Sequence, residues 1–528
     1  MPFFTARASR GVAWLRRHPA AAGLIVAVLY GALSGLDQAS DKPFFFDEIA
    51  TVAVARQESP RAIWNALQKA ADAQPPPYYL VEAASRQVAD NPHIAYRLPS
   101  LLGFLSIPIA LWLFVRKRRG EPAALAAALM PFVMPVFTLY AIEARPYALV
   151  TGCVAWALVM WQDADRRGRA AALALFLIAA SSFSYSAIVA LVPFGLAELV
   201  RTVRLRQIRV RVWLALAAGC LPLAAFWPLL SRFRQEYGTA FWAKPQLIGT
   251  YGELLGISVR WAAPLVAVLV AAWIASLLVP HRVPVRQETS PVPPEEAIVV
   301  LGFACLPIVI YIVAVILDSP MVSRYAIPAV LGISAAAAFL ASASQSRRGV
   351  WYLLLALSSI IGLHQVDYWR FGQSTPHIAM AHADAATLRR LIERHDVARL
   401  PIVISNGLNY LPMAYYEGSA RDVPFYYLAD PASAIKFIQT DSVDLALLKL
   451  APYLPMRLQE PSSFFAEHPV FLVFSESMLW DYLPRRLLRE GHSVRLLAVD
   501  GSDGGNHRLY RVELQRLPQA PVTTPPGT

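Results

Sequence analysis

The sequence predicts an α-helical polytopic membrane protein that crosses the bilayer about eleven times and carries a small extracytoplasmic α/β domain at its carboxyl end. Three observations lead to this fold class. The chain has 528 residues, of which 56% are hydrophobic and only 16% are charged. Apolar runs long enough to cross about 30 Å of hydrocarbon recur along most of the chain. Beyond about residue 367 these runs give way to short strands that alternate with amphipathic helices.

The predicted spans are residues 20–36, 98–115, 122–140, 146–161, 170–183, 185–200, 212–230, 261–280, 297–317, 325–342 and 350–365. The stretch 170–200 also fits one long tilted helix instead of two short helices that fold back near residues 181–184. Only the two-helix version puts the arginines of 201–211 on the same side as the basic loops 116–119 and 166–169. That side is cytoplasmic by the positive-inside rule, so the amino terminus is predicted inside and the carboxyl terminus outside.

The formal net charge of +12 lies largely on these short cytoplasmic loops, which face anionic lipid headgroups. Membrane lipid is therefore a predicted partner, and nucleic acid is not. The ten histidines show no ligand spacing, so no metal-binding residues are predicted. No cofactor is predicted with certainty, and a divalent cation stays possible.

The chain divides into a membrane module of residues 1–366, an outer domain of residues 367–517 and a proline-rich tail of residues 518–528 that is predicted to be disordered. The first outer loop, residues 37–97, is predicted to hold a helix that begins at Pro60 and is capped by Ser59. The prolines at 75–77 predict an extended turn, because successive prolines remove hydrogen-bond donors and fix the backbone.

The outer domain is predicted to contain short strands separated by amphipathic helices. The strands are predicted at residues 401–405, 470–474, 493–499 and 509–514, and the helices at residues 388–394, 408–416 and 478–490. A glycine-rich segment at residues 501–505 lies between two strands and is interpreted as a turn, not as a phosphate-binding loop.

Two adjacent carboxylates, Asp47 and Glu48, follow three phenylalanines where the first span should emerge into water. An ionisable pair at a bilayer surface carries a desolvation cost that residues in bulk water escape. Other charged residues lie at the outer ends of later spans: Glu143 and Arg145 between the third and fourth, and Arg324 at the start of the tenth. Carboxylates and arginines are therefore predicted to converge on the outer face.

Transfer of a sugar from a lipid-linked phosphate requires this combination of groups. The acceptor hydroxyl must lose its proton as the new bond forms, and a carboxylate within about 3 Å can take it. The departing lipid phosphate is already a good leaving group, so it needs a cation and not an acid. Arginine supplies that charge through two parallel hydrogen bonds.

Five short motifs occur along the chain in an order, and at positions in the predicted topology, that match a known family. They are Asp47-Glu48, Gln74-Pro75-Pro76-Pro77-Tyr78-Tyr79, Arg97-Leu98-Pro99-Ser100, Glu143-Ala144-Arg145-Pro146-Tyr147 and Ser323-Arg324-Tyr325. Through them, residues 1 to about 366 resemble the GT-C glycosyltransferases. The resemblance is to the bacterial branch related to protein mannosyltransferases of glycosyltransferase family 39, to the aminoarabinose lipid A transferase and to the rhizobial lipopolysaccharide transferases. It implies a bacterial inner-membrane enzyme with a periplasmic carboxyl-terminal domain.

The resemblance also implies a polyprenyl-phosphate-linked monosaccharide as donor, a glycan, lipid or protein as acceptor, and usually inversion at the anomeric carbon. Asp47 is implied as the base, Glu48 as its assistant, and Glu143 as a carboxylate near donor or acceptor. Arg324 is implied as the phosphate partner and Arg145 as a second one. Gln74, Tyr78, Arg97 and Tyr325 are candidate substrate-binding residues within the same motifs. The chain departs from many relatives at three places. Relatives often have His or Glu where this chain has Gln74, and Leu where it has Pro77. Many of them have a His-Tyr pair where this chain has Ser184-Tyr185.

Simpler interpretations exist for each residue. Asp47 has the position of a helix cap at the interface, Glu143 and Arg145 that of a loop ion pair, and Arg324 that of an interface anchor. For the whole chain the alternatives are a transporter or lipid flippase, and a catalytically inactive scaffold whose outer domain binds glycan or a partner. Few charges fall inside predicted spans and no internal repeat is seen, which disfavours a transporter.

Overall fold

The computed structural model describes residues 18–238, 240–255, 291–343, 348–371, 387–393, 400–417, 425–476, 481–500 and 506–515. These residues form a large helical part followed by a six-stranded sheet with helices. The chain has the predicted fold class of a helical multi-pass membrane protein with a small carboxyl-terminal α/β region. The predicted span 261–280, the turn 501–505 and the tail 518–528 lie outside the described residues.

The helices up to residue 371 are numbered here in chain order. They are α1 Pro19–Asp41, α2 Phe46–Ala55, α3 Pro60–Gln68, α4 Pro76–Ser85, α5 Pro92–Leu129, α6 Pro135–Ala141, α7 Tyr147–Gln162, α8 Arg169–Phe183, α9 Leu191–Leu205, α10 Val210–Ala218, α11 Leu221–Ala225, α12 Trp227–Tyr237, α13 Leu247–Leu255, α14 Pro294–Ala304, α15 Leu306–Ile316, α16 Ala329–Ala341 and α17 Arg348–Phe371. Short 3-10 helices occur at Met130–Val133, Tyr185–Ala190 and Ser323–Ala326.

Within the described ranges, four helical stretches have the length and apolar composition of a membrane span. They are Pro19–Asp41, Pro92–Val133, Tyr185–Leu205 and Gly349–Val366. Two further pairs meet the same criteria if each counts as one bent span: α10 and α11 with α12, bent by 52°, and α14 with α15, bent by 59°. Helices α7, α8 and α16 are apolar but shorter.

The predicted second and third spans are joined by a single residue. Gly120 interrupts α5 with a φ of +76°, a backbone conformation that glycine adopts far more readily than other residues. The chain reverses there, because segments on both sides of Gly120 contact the Arg145–Tyr147 segment. The Ser100 hydroxyl donates to the Arg145 carbonyl, and the Tyr140 ring lies 5.0 Å from that of Tyr147.

The fold-back predicted within residues 170–200 is confirmed. Helix α8 ends at Phe183, and Ser184 has an extended backbone. The two arms return to the same side, since Arg201 and Arg209 approach Asp165 at 3.4 Å and 3.6 Å. The basic loops on either side of this hairpin therefore lie together, as the positive-inside argument requires.

Two glycines allow α5 and α7 to touch. A Cβ on Gly103 would lie 2.4 Å from the Leu149 Cα, and one on Gly152 would lie 2.7 Å from the Gly103 carbonyl oxygen. Such close approach of helices through small residues is common in membranes. It places the amino-terminal part of α5 beside the Glu143–Tyr147 segment, which precedes α7.

The first outer loop confirms one prediction and corrects another. Helix α3 begins at Pro60, and the Ser59 hydroxyl accepts the Ala62 amide at 3.2 Å. The proline run does not form the predicted extended turn, because α4 begins at Pro76. Proline is tolerated in a first helical turn, where its missing N–H would have no partner and its φ is already helical.

The carboxyl-terminal region holds β1 Ile402–Ile404, β2 Phe425–Leu428, β3 Leu458–Gln459, β4 Val470–Ser475, β5 Ser493–Asp500 and β6 His507–Glu513, in the order β3-β2-β1-β4-β6-β5. Strands β1 to β4 pair in parallel, and β6 pairs antiparallel with both β4 and β5. Its helices are α18 Gly407–Glu417, α19 Pro431–Ile438, α20 Ser442–Leu450, α21 Pro461–Glu467 and α22 Leu483–Arg489, and residues 387–393 are also helical.

The sequence predicted four of these strands within two residues at each end, but it missed β2 and β3 and the helices α19 to α21. Strands β2 and β3 have only four and two residues, too few for alternation to be recognised. The predicted helix 478–490 is shorter, since α22 covers Leu483–Arg489. The boundary predicted at residue 366 falls inside α17, which runs to Phe371.

The carboxyl-terminal region packs directly on the first outer loop. One hydrophobic cluster contains Phe44 and Ile49 from the loop together with Ile402 and Tyr410 from the α/β region. The Phe44 amide donates to the Tyr416 hydroxyl at 2.6 Å. The two parts therefore share a core around α2.

Candidate active site

Asp47 and Glu48 lie in the first turn of α2 but face different surroundings. The Asp47 side chain is 35% exposed and that of Glu48 only 1%. Successive residues of a helix point about 100° apart, so adjacent carboxylates cannot serve the same surface. The Glu48 carboxylate turns back and accepts the Phe45 amide at 3.0 Å, which stabilises the start of the helix.

Glu48 is the centre of a buried ion cluster. Arg97 donates to both of its oxygens, from Nε at 2.8 Å and from Nη2 at 3.0 Å. The Ala144 amide donates to it at 2.8 Å, and Lys42 Nζ lies at 3.6 Å. Lys42 also binds Glu143 at 3.1 Å. The cluster therefore fixes three chain segments, which precede α2, begin α5 and precede α7.

The Arg97-Leu98-Pro99-Ser100 motif is explained by this cluster. The Arg97 guanidinium is fully buried and also donates to the carbonyls of Ala39 and Pro43, at 2.8 Å and 3.0 Å. One turn later, the Ser100 hydroxyl donates to the Arg145 carbonyl at 2.6 Å. These contacts hold the backbone on which Asp47 and Arg145 are carried.

Asp47 forms an ion pair with Arg324. The distance from Arg324 Nη1 to Asp47 Oδ2 is 3.2 Å, although the two residues are far apart in the chain. Arg145 donates to the backbone carbonyl of Asp47 at 3.2 Å. Both guanidinium groups lie over the Tyr147 ring, at 5.9 Å for Arg145 and 5.8 Å for Arg324. Tyr147 thus keeps the two cations on the same side of Asp47.

Asp72 is a further charged residue of the site that sequence reasoning did not select. It accepts a hydrogen bond from Arg145 Nη1 at 2.9 Å, and the Thr51 hydroxyl approaches the same oxygen at 3.4 Å. The only signal for it in the sequence is its place two residues before Gln74, at the start of the second motif.

These side chains line a cavity of about 870 Å³. Its charged side carries Asp47, Asp72, Arg145 and Arg324, and Arg234 and Lys244 from the segment after α11 also line it. Among the described residues, no carboxylate is paired with Lys244. A further part of the wall comes from α18 and α20 of the carboxyl-terminal region.

The charges of the site act strongly on its acids. Burial alone would raise the pKa of Asp47, but the nearby charges of Arg324 and Arg145 outweigh it and hold this pKa below its ordinary value. Burial likewise opposes ionisation of Glu48, yet Arg97 and Lys42 lower the pKa of Glu48 to about 2. Both carboxyl groups are therefore ionised at neutral pH.

The structure brings five of the nine predicted site residues to the cavity wall and leaves four behind it. Asp47, Gln74, Arg145, Arg324 and Tyr325 line the cavity. Glu48, Tyr78, Arg97 and Glu143 do not line it. Of these, Glu48, Arg97 and Glu143 form the buried ion cluster with Lys42, and the fully buried Tyr78 ring packs against Tyr79 at 5.5 Å.

Metal ligands are not grouped in the part of the chain that the structure describes. No set of three or more His, Cys, Asp or Glu side chains there is placed to hold an ion.

The fold, and part of the sequence, are similar to those of known proteins. A family profile for dolichyl-phosphate-mannose-protein mannosyltransferase matches residues 73–231, which contain the second, third and fourth motifs. No curated protein matches the chain in sequence. The crystal structure of ArnT from Cupriavidus metallidurans in the apo state is similar over 93% of this chain and 98% of its own, with a TM-score of 0.51 and 14% identity.

A second crystal structure of the same ArnT, bound to undecaprenyl phosphate, is similar over 92% of this chain and 97% of its own, with a TM-score of 0.49 and 15% identity. ArnT has the fold that the order of the five motifs predicted for this sequence. This chain therefore has the GT-C fold of membrane glycosyltransferases.

Proposed function

We propose that the protein transfers a monosaccharide from a polyprenyl-phosphate-linked donor to a hydroxyl of a cell-envelope glycan, lipid or protein, with Asp47 as the general base. The observation that carries the proposal is the Asp47–Arg324 pair in the wall of an 870 Å³ cavity, with Arg145 and Lys244 on the same wall. A proton acceptor and several cations then surround one space large enough for a sugar phosphate.

The reaction we propose is a single displacement at the anomeric carbon. The acceptor oxygen attacks that carbon as its proton passes to the Asp47 carboxylate. The bond from the anomeric carbon to the phosphate oxygen breaks, and the lipid phosphate leaves with the electron pair. Attack opposite the leaving group inverts the configuration, so an inverting transfer is proposed.

Cations would stabilise the departing phosphate. Arg324 is the first candidate, because it lines the cavity and its Nη1 lies 3.2 Å from the Asp47 carboxylate. Arg145 is held by Asp72 and the Asp47 carbonyl, so its role is more one of positioning. Lys244 is a second candidate for the phosphate, since no carboxylate in the described ranges neutralises it.

Glu48, Arg97 and Glu143 are proposed to position the site and not to contact substrate. They lie behind the cavity wall and satisfy one another's charges together with Lys42. An ion cluster of this kind fixes the α2 start and the Ala144–Arg145 backbone, on which the reacting groups depend.

The cavity is proposed to face the periplasm, with the amino terminus in the cytoplasm. Helix α5 runs from Arg97, beside the site, to Arg118, which pairs with Glu296 at 2.6 Å in a cluster of basic loops. That stretch is about 32 Å long at the helical rise per residue, close to the thickness of the hydrocarbon layer. The site and the basic loops are thus one membrane thickness apart. The positive-inside rule assigns the basic loops to the cytoplasmic face, so the site is proposed on the opposite face.

The proposal is tested with the purified full-length protein in detergent. Undecaprenyl phosphate should raise the melting temperature, because a ligand that binds only the folded state stabilises it, and undecaprenol, which lacks the phosphate, should not. A panel of undecaprenyl-phosphate monosaccharides should then include one from which the protein releases undecaprenyl phosphate when an envelope extract is added. Equal responses to the phosphate and the alcohol would argue against a phosphate site.

A further inference from the structure

One side of the cavity carries four aromatic side chains in sequence. Phe233 stacks on Tyr237 with ring centres 4.3 Å apart, Tyr237 meets Phe241 at 6.3 Å, and Phe241 stacks on Trp242 at 6.1 Å. All four line the cavity. We call these residues the aromatic row.

The charged residues of helix α12 favour a position of the aromatic row outside the apolar layer of the membrane. Helix α12, which carries Phe233 and Tyr237, also carries Arg232, Arg234 and Glu236, and it bends by 52° away from α10 and α11. Glu236 binds Lys449 of α20 at 2.6 Å, which ties α12 to the extracytoplasmic region. A polyprenyl chain would lose contact with hydrocarbon there, so the row is poorly placed to hold the lipid tail of a donor.

Among its described residues, the carboxyl-terminal region contributes only uncharged side chains to the cavity wall, which are those of Leu408, Ser442, Val443, Ala446 and Leu450. The Ser442 hydroxyl accepts the Trp242 amide at 3.3 Å, so α20 and the outer end of the row are in direct contact. The ligand segment between them therefore meets aromatic rings on one side and small uncharged side chains on the other.

Polar side chains follow the first ring of the row in the sequence. Arg234 and Gln235 come directly after Phe233, and both line the same cavity. Aromatic faces bordered by hydrogen-bond donors match a saccharide, whose rings have apolar C–H faces and hydroxyl edges. An acyl chain would leave these donors without partners.

The inner end of the aromatic row is close to the proposed base. Tyr237 lines the same cavity as Asp47 and Asp72. A ligand that runs along the row from Trp242 would thus bring its inner end to Asp47.

We propose that the aromatic row and α20 form the acceptor subsite and that the acceptor is a saccharide chain of two or more rings, not a protein or a simple lipid. This inference rests on the proposed glycosyl transfer, because it takes Asp47 as the group that activates the acceptor. The length follows from the row, which extends over three ring-to-ring steps.

The test uses the full-length protein in detergent and saturation-transfer NMR, which detects weak binding of sugars. Mannotetraose and chitotetraose serve as neutral probes, with mannose and N-acetylglucosamine as single-ring comparisons. We expect at least one tetrasaccharide to bind, and its affinity to exceed that of the single ring by about tenfold, since each additional stacked ring adds free energy.

Variants separate the subsite from the rest of the protein. Trp242→Ala and Phe241→Ala should each weaken tetrasaccharide binding about tenfold. Ala446→Phe should do the same by filling the subsite from the opposite wall, without removing an aromatic ring. Trp227→Ala is the matched control, because Trp227 is an exposed tryptophan of the same helix that does not line the cavity.

The melting-temperature response to undecaprenyl phosphate is measured in parallel in all four variants and should be retained. If neither tetrasaccharide binds while undecaprenyl phosphate still stabilises the protein, the acceptor inference is wrong and the proposed function stands. If undecaprenyl phosphate has no effect either, the proposed function itself is wrong. Displacement of a bound tetrasaccharide by a serine-rich peptide would overturn the choice of a saccharide over a protein.

Discussion

The Asp47 carboxylate and the Arg324 guanidinium bind each other at 3.2 Å in the cavity wall, and we propose that the first accepts a proton and the second holds a phosphate. Each is therefore occupied by the other until substrate arrives. A donor phosphate competes with Asp47 for Arg324, and its binding would leave the carboxylate without its cation. Donor binding and activation of the base are then one event.

Replacing Asp47 by asparagine should lower the rate of transfer by about 10² to 10⁴, because the amide has a similar shape but cannot take the proton. The measurement is release of undecaprenyl phosphate from the donor identified in the panel. Asp41→Asn is the control, since Asp41 is an exposed carboxylate six positions earlier in the sequence. Undiminished transfer by the Asp47 variant would refute its role as base.

Replacing Glu48 by glutamine should destabilise the protein rather than remove one catalytic step. The change leaves the Arg97 guanidinium buried without a compensating charge, which costs about 3–5 kcal/mol, whereas Lys42 keeps its ion pair with Glu143. Thermal unfolding in detergent should therefore separate this variant from Asp47→Asn, which is expected to keep a melting temperature near that of the unmodified protein. Similar melting temperatures for both variants would contradict the division of roles.

The stabilisation by Glu48 should depend on pH in a defined window. Its folded-state pKa of about 2 lies below the value of about 4.3 expected in the unfolded chain, so the contribution is complete above that higher value. It is lost as pH falls from about 4.3 toward 2. The difference in melting temperature between the unmodified protein and Glu48→Gln should narrow across this range and stay constant above it.

The pH dependence of transfer should reveal the exchange between Asp47 and Arg324. In the free protein Arg324 lowers the pKa of Asp47, so the acid limb of kcat/KM should lie below the ordinary aspartate value of about 3.9. With donor bound, Arg324 turns to the phosphate and an anion lies close by, so the pKa of Asp47 rises. The acid limb of kcat should therefore lie at higher pH than that of kcat/KM, and coincident limbs would argue against the exchange.

Removal of the proposed phosphate cations should affect the donor more than the acceptor. Arg324→Ala and Lys244→Gln should each raise the KM for the donor about tenfold or more and change the KM for the acceptor little. Lys69→Gln provides a control, because Lys69 is an exposed lysine of the outer loop that does not line the cavity. Equal effects on both substrates would indicate that these cations act through the fold of the cavity.

Part of this site could be predicted from sequence because its motifs sit at the ends of apolar spans, where few charged residues occur. Asp47, Arg145 and Arg324 were selected on that basis, and all three line the cavity. The sequence could not predict that Glu48, unlike Asp47, is buried, since its burial depends on contacts with Arg97 and with the Ala144 amide.

Asp72 was missed for a related reason. It is one of several acidic residues in a long outer loop, and only its contact with Arg145 distinguishes it.

The extended turn predicted at residues 75–77 is wrong because proline can end one element or begin the next. The packing of α4 decides between these two roles. The helical membrane fold and the charged residues at the ends of apolar segments were thus accessible from the sequence, whereas side-chain partners from distant segments were not.

Helix α20 and the charged groups line the same cavity, and this arrangement has a consequence for the competing reaction with water. A chain shortened after residue 371 would retain Asp47, Arg145 and Arg324, yet the chamber around them would open to solvent on the side now closed by Val443 and Leu450. Water would then reach the anomeric carbon as a rival nucleophile. The carboxyl-terminal region would in that case protect an activated sugar from hydrolysis, and sugar released free into solution would be the sign of its loss.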